Sequence, residues 1–589
     1  MSRGVRRGLL ALGILLIAGA SRAAAPSPAA SALDLAAAEY GRFLETTQID
    51  VRLSRGLPID ELPDPSPLRA REDARFGRRL QERLAGIAAR DLDLERVLSL
   101  EILRREATAL VEAERFYWLG FPVTPYASPL RSVHRPFTEH AFAGAADLRH
   151  YLTLLERYAA WIQALETKLR GQAERGIRLP RPEIPLVVTA FGAIRQPVEK
   201  SLFAISPARL ERIAPEDRET FRRAVAAAIS SRVNPALERL TSYLSEHAAR
   251  APTAVGLSQY PGGPDYYRWL VRQHTTLDLL PEEIHRIGLG EIERIGAELD
   301  AVRREVRFEG SQADFRRHLR SDPRFFPKTA EEIGARLLGA QEKLRPKVSL
   351  FFNRTPRAPY GVARLDPALE GAMTFGYYDP PKPSDPKGYY YYNGSKLESR
   401  SHLNAAALVY HELVPGHHFQ FALQRENASL PEFRRESFQT AFVEGWGEYA
   451  SALAGEMGMY ADPWDRAGRL MMDAFLSARL VVDTGMNALG WSRERATAYL
   501  REHTLESDAQ IETETLRYSC DIPGQALAYK MGAKSIRDLR EKARAALGPA
   551  FDVRRFHDAV LGSGSMPLSV LAWRIDRFVE EERKKGIRS

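Results

Sequence analysis

The residues best suited to chemistry sit in LVYHELVPGHHFQF, from Leu408 to Phe421. His411 and Glu412 begin the zinc-hydrolase pattern His-Glu-x-x-His, whose two histidines share a helix face at i and i+4. Four residues after His411, however, stands Pro415, and Gly416, His417 and His418 follow. Zinc takes neutral imidazoles and carboxylates in tetrahedral geometry, so two histidines must converge on one point. On an ideal helix His417 points about 240° around from His411, and His418 returns to the same face about 10.5 Å along the axis. A straight helix serves neither. Pro415 cannot donate to the carbonyl of residue 411 and pushes it away, so a bulged or overwound helix is expected here. A bulge absorbing two residues brings His417 to His411, and one absorbing three brings His418. The smaller distortion favours His417. The competing reading is a pair of surface histidines at a kinked turn.

A third ligand would separate these readings, and candidates lie downstream. SFQTAFVEGWGEYASALAGEMG (Ser437–Gly458) reads as a mostly buried helix through Phe438, Phe442, Trp446 and Tyr449, with Glu444 and Glu448 on one face. Burying two carboxylates among aromatics is costly unless a cation meets them. A zinc ligand plus a carboxylate orienting a ligating histidine accounts for both. Ion pairs to Arg434 or Arg479 are the plainer alternative.

These segments need a scaffold, and the pattern around them is helical. Amphipathic periodicity runs through Glu72–Trp118, Ala141–Arg175, Pro207–Ala249 and Pro281–Val306. Helix starts are marked at Ser206-Pro207, Leu280-Pro281 and Thr329. Ser401–Tyr410 is an Ala-rich helix that carries His411 and Glu412 inward. Strand signals cluster in Gly371–Pro380 and Gly388–Gly394, where aromatic runs flank PKPSDPK and predict a β-hairpin just upstream of the histidines. The fold class is therefore mainly α with a small β element, without the strand–helix alternation of a doubly wound sheet.

The first 25 residues have a basic start, an apolar run from Gly8 to about Ala20 and small residues after it, the build of a secretory signal. No later segment is apolar over a membrane-spanning length. A retained N-terminal anchor is the alternative, and no cysteine follows the run to carry a lipid. Removing the four arginines of this leader takes the formal charge from +8 to +4, too little for a chain of 589 residues to indicate nucleic-acid binding. The 44% hydrophobic and 27% charged composition excludes a disordered chain. Cys520 is the only cysteine, so no internal disulfide can form. Residues 26–70 are expected to be an irregular segment, on the strength of GLPIDELPDPSP (Gly56–Pro67). A periplasmic or secreted protein is expected, with no stable membrane insertion once the leader is gone.

Three blocks together resemble the DUF885 family of bacterial proteins, which is distantly similar to the angiotensin-converting-enzyme and oligopeptidase group of zinc peptidases. HELVPGHHFQ (His411–Gln420) is similar to its HExxPGHHxQ signature, and VEGWGEYA (Val443–Ala450) resembles its EGWAxY segment. RYSCDIPGQALAYKMG (Arg517–Gly532) is similar to its R-Y-x(4)-P-G-Q-A-L-x-Y-K-x-G block, and Pro264–Ile292 also fits. The resemblance implies one helical, two-lobed metallopeptidase domain over residues 71–589, with a deep central cleft between lobes of about 71–260 and 261–589. It implies Zn2+ on His411, His417 and Glu444, with Glu412 as general base and acid. Tyr529 or Tyr518 would donate to the oxyanion, and Arg517, Lys530, Gln525 and His418 would bind substrate. The chain departs from the family at Asn487, where the family usually has His; Asn can donate a hydrogen bond but cannot shuttle protons near neutral pH.

The function expected is hydrolysis of short peptides by an exported zinc enzyme, with the outer edge of Gly371–Tyr378 available to an extended substrate. A zinc hydrolase of another amide or ester uses the same apparatus. A catalytically silent peptide-binding protein is the third reading, against which the presence of Glu412 argues.

Overall fold

The computed structural model describes residues 27–126, 129–370, 376–382 and 385–588. The expected leader lies outside them. The fold is mainly α, as the periodicity predicts, with one small sheet. The segment expected to be irregular instead begins with two helices, Pro28–Thr47 and Ile49–Ser54. Ser27 caps the first of them by accepting from the Ala30 N–H at 3.1 Å, and Pro28 stands at its first position. Leu33, Ala36, Ala37, Tyr40 and Phe43 recur at helical spacing and are buried, a stripe that outweighs the neighbouring prolines. The irregular stretch is confined to residues 57–66.

Of the helix starts read from the sequence, Leu280-Pro281 opens Pro281–Glu305 and Thr329 caps Ala330–Leu344. Ser206-Pro207 opens only a short 3-10 turn, Pro207–Leu210, and the α-helix starts at Pro215. The Glu72–Trp118 pattern divides into Pro67–Ala85 and Leu94–Ala113.

The sheet has three strands, β1 (Tyr360–Arg364), β2 (Tyr377–Asp379) and β3 (Gly388–Tyr392), in the order β1-β3-β2. β2 and β3 form the expected antiparallel pair, with Tyr378 opposite Tyr390. β1 is unforeseen and runs parallel to β3, Tyr360 opposite Gly388. Tyr390 and Tyr392 point into the core while Tyr389 and Tyr391 are half-exposed, so the run of tyrosines is a period-2 strand.

Hydrophobic packing does not follow a boundary near residue 260. Residues 123–251 form one cluster, joined by Cys520. The N-terminal helices through Leu94–Ala113 belong to a larger cluster with residues 337–579, and that cluster surrounds the histidine segment. Two of its helices touch backbone to backbone. A Cβ on Gly445 would lie 2.5 Å from the Cα of Gly532, and one on Gly532 would lie 1.9 Å from the carbonyl oxygen of Ala441. At these glycines the helices Thr440–Glu456 and Leu527–Leu547 leave no room for a side chain between their backbones.

Candidate metal centre

The helix carrying His411 spans Ala405–Glu412 and stops there. Leu413 and Gly416 leave the helical region, the Val414–Pro415 peptide is cis, and a new helix, His417–Glu426, begins at once. A clean break thus replaces the bulge expected from the sequence. Gly416 makes it sterically feasible, because a Cβ there would lie 1.8 Å from the carbonyl oxygen of His411. The break is tied down on all sides. Leu413 donates to Val409 O at 2.9 Å, and Gln341 Nε2 donates to the carbonyls of Val409 and Val414 at 3.1 and 3.0 Å. The Trp446 indole donates to Pro415 O at 2.9 Å. Helix-end carbonyls that a break would orphan are thereby satisfied.

Across this turn the two imidazoles meet, with ring centroids 4.5 Å apart and planes at 77°. Glu444, from the helix Thr440–Glu456, closes the group: its Oε2 lies 3.3 Å from His417 Nε2 and 3.6 Å from His411 Nε2. One ligand atom from each of the three falls within 4.8 Å of the others. One turn on, Gly447 keeps the space for His411, since a Cβ would come 2.9 Å from its ring.

The electrostatics suit a cation. Burial by itself would raise the Glu444 carboxyl, but hydrogen bonds from His411 and His417 hold it well below the usual carboxylate range. Among the described residues no Lys or Arg forms an ion pair with it, and both imidazoles leave Nδ1 buried without a partner. Two imidazoles and one carboxylate, largely shielded from solvent and without a compensating base, match a three-ligand zinc site with an open fourth position. Glu412, next to His411, is half-buried. Burial, with Glu444 adding to it and His417 opposing, pushes its carboxyl up to about 7.

The remaining expected residues divide into two groups. Tyr529 stacks on His411, with centroids 6.1 Å apart and planes at 18°, and the Arg479 guanidinium lies over the Tyr529 ring, 4.9 Å from its centroid. Arg517 donates to Gln525 Oε1 at 2.6 Å, and both sit beside Tyr529, whose hydroxyl Gln525 also meets. These three form a wall of the site. Four expectations are corrected. Tyr518 is fully buried in a separate core cluster and its hydroxyl is bound to Glu514. Lys530 is held by Asp473 and by Glu291 (2.9 Å), so it has no free charge to offer a substrate carboxylate. His418 is fully buried between Tyr378 OH and Ala358 O, each 3.0 Å away, and anchors the sheet instead of facing a substrate. Glu448 pairs with Arg469 and orients neither histidine.

Asn487 is also placed away from the histidines. It accepts from the Leu257 N–H at 2.9 Å and donates to the carbonyls of Tyr518 and Asp483 at 2.7 and 3.0 Å. Its role is to join three segments of the fold. Two tyrosines not foreseen from the sequence, Tyr378 and Tyr390, lie close enough to Glu412 for its charge to help raise their hydroxyls, after burial itself. Within the uniform run Gly388–Tyr392 only the period-2 burial of the folded strand singles out Tyr390.

The fold and this cluster define a mainly helical protein with a buried His-His-Glu group. The chain belongs to the DUF885 family, described as bacterial protein of unknown function, which it matches over residues 51–575. No curated protein matches it. The structure is similar to that of a protein from Colwellia psychrerythraea described as a "putative lipoprotein". Identity is 25%, 94% of this chain and 100% of that chain are covered, and the TM-score is 0.86. It also resembles a "putative lipoprotein of unknown function" from Shewanella oneidensis. There, identity is 17%, coverage is 92% and 98%, and the TM-score is 0.71, a likeness of fold alone. Among the described residues no helix is long and apolar enough to cross a membrane.

Proposed function

We propose that this protein is an exported zinc-dependent peptidase of short peptides. The observation that carries the reading is the convergence of His411, His417 and Glu444 from three helices, with Glu412 adjoining them. Export is supported by the leader pattern of the first 25 residues and by structural relatives described as putative lipoproteins.

His411, His417 and Glu444 would hold the ion. Bound there, a zinc ion would supply Lewis acidity, enough to bring the pKa of a water to about 7. Glu412 takes the proton of the attacking water and delivers it to the leaving amine. Tyr529, stacked on His411, turns its hydroxyl to the oxygen of the attacked carbonyl and donates to it as charge develops. Arg517, positioned by Gln525, meets a substrate carboxylate or carbonyl. β2 lies at the sheet edge, where an extended peptide can add as a further strand.

The test pairs metal analysis with turnover. Purified protein is expected to carry about one zinc per chain, and Glu412→Gln is expected to keep the metal while losing at least ~100-fold in peptide hydrolysis. A protein without zinc, or a Glu412→Gln variant of undiminished activity, would falsify the mechanism.

A further inference from the structure

A cavity of about 300 Å3 lies between the sheet, the start of the His411 helix and the segment around residues 505–513. His411, His417 and Glu444 do not line it, and its link to them runs through the neighbours of Glu412. Leu408, on its wall, stands one helical turn before Glu412 on the same face. Tyr390, also on its wall, lies within electrostatic reach of Glu412. The size is that of a small-molecule or side-chain pocket. Leu408, Met472 and Tyr390 make part of the lining apolar.

Into this cavity faces Glu506, half-buried. Among the described residues its carboxylate has no ion pair and no side-chain hydrogen bond. The nearby cations form no ion pair with it, although the Arg320 Nε is buried without a partner. Arg479 grips Glu514 with two bonds of 2.9 and 3.0 Å, and Gln510 donates to Glu514 at 2.8 Å. Arg320 donates to the carbonyls of Arg501 and Thr504. Lys396 and Arg400 line the same cavity from the loop after β3, but neither comes within ion-pair distance of Glu506. Burial, then the charge of Glu514, pushes the Glu506 carboxyl up to about 7 against the pull of Arg479 and Arg320. A carboxylate held in such a place costs free energy until a cation meets it.

We propose that this cavity is a side-chain subsite of the peptide site and that it takes a basic residue, lysine or arginine. The aliphatic stem lies along Leu408, Met472 and Tyr390, and the cationic head meets Glu506. The inference rests on the peptidase reading and gives it a substrate class.

The test uses matched peptides carrying Lys or norleucine at each position in turn, with wild-type protein, Glu506→Gln and Glu506→Lys. Wild type is expected to favour Lys at one position by roughly tenfold or more in kcat/KM. Glu506→Gln brings that ratio close to one, and Glu506→Lys turns the preference toward Glu. Thermal unfolding checks the fold of both variants, and Glu506→Gln is expected to be at least as stable as wild type because it removes a half-buried, unpaired charge. The same peptides are titrated calorimetrically into Glu412→Gln, which reads the subsite without turnover. Hydrolysis with no Lys preference overturns the subsite and leaves the peptidase reading standing. Lys-selective binding that depends on Glu506, in a protein that hydrolyses nothing, upholds the subsite and overturns the peptidase. A preference that disappears on N-acetylation and ignores the side chain assigns Glu506 to the substrate's amino terminus and overturns the basic-residue proposal.

Discussion

At the scale of single residues, His417 and His418 are neighbours in sequence with different partners. The first faces Glu444 and His411; the second is consumed by Tyr378 and Ala358. His417→Ala is therefore expected to lose zinc, read by metal analysis, with only a modest change in unfolding temperature of the apoprotein. His418→Ala is expected to keep zinc and to lower stability by about 1–3 kcal/mol, because it leaves the Tyr378 hydroxyl and the Ala358 carbonyl unpaired. Loss of zinc in His418→Ala and its retention in His417→Ala would reverse the ligand assignment. Lys530 gives a similar contrast with Arg517. Lys530→Met should cost about 3–5 kcal/mol by leaving Asp473 and Glu291 with fewer partners, while KM for carboxylate-bearing peptides stays the same.

At the scale of elements, the candidate metal centre depends on glycines as much as on its three converging side chains. Gly447→Ala adds a methyl 2.9 Å from the His411 ring. Helix propensity alone would make this change stabilising by about 1 kcal/mol. The ring must shift instead, so zinc affinity is expected to fall by roughly 10–100-fold, the loss typical when a ligand's support is disturbed. Measured affinity equal to wild type would show that His411 does not need that space.

The elements also mark how far the sequence could be read. The His411 helix, the Glu444 helix and the β2–β3 pair follow from periodicity, whereas the three converging residues follow as a set from the family resemblance, since spacing favours His417 over His418 and leaves Glu444 and Glu448 undistinguished. What periodicity cannot supply is a long-range partner. β1 is five residues long and acquires its place only by pairing with a strand more than twenty residues later. Tyr518 and Lys530 sit in the same block as Tyr529 and Arg517, but a π-turn at Arg517–Asp521 and the start of the next helix turn them to other partners. Only tertiary contacts separate those roles. The break at Pro415 was legible as an irregularity, while its form depended on Gln341 and Trp446, which are remote in sequence.

At the scale of the whole molecule, two buried carboxyls away from the candidate metal centre, Glu183 and Asp483, contribute stability that falls as pH rises. Glu183 is pushed up to about 8, by burial first and then by Asp521, against weaker opposition from Ser519, Cys520 and Arg493. Asp483 is pushed up to about 7, by burial, despite hydrogen bonds from Tyr267, Gly524 and Asn487. Both bind protons more tightly folded than unfolded. Their contribution is complete below the unfolded carboxylate range, near pH 4, and is lost as pH rises through about 7 and 8. Above pH 7, beyond the range in which the buried neutral rings of His134, His274 and His557 oppose this trend, denaturant unfolding should accordingly show stability falling by on the order of 2 kcal/mol to pH 9. Glu183→Gln should flatten the upper part of that decline. An unchanged slope would place the titration elsewhere.

The three converging side chains lie within residues 411–444, whereas the walls around them come from segments spread over most of the chain. Closing so short a loop carries a small entropic cost, and local contacts form early in folding. On the proposed reading, an ion held by these side chains would be captured before the distant walls arrive and would act as a nucleus for assembly. Zinc added at the start of refolding is expected to raise the folding rate as well as slow unfolding. A rate that zinc leaves unchanged would mean that the walls bring the ligands together.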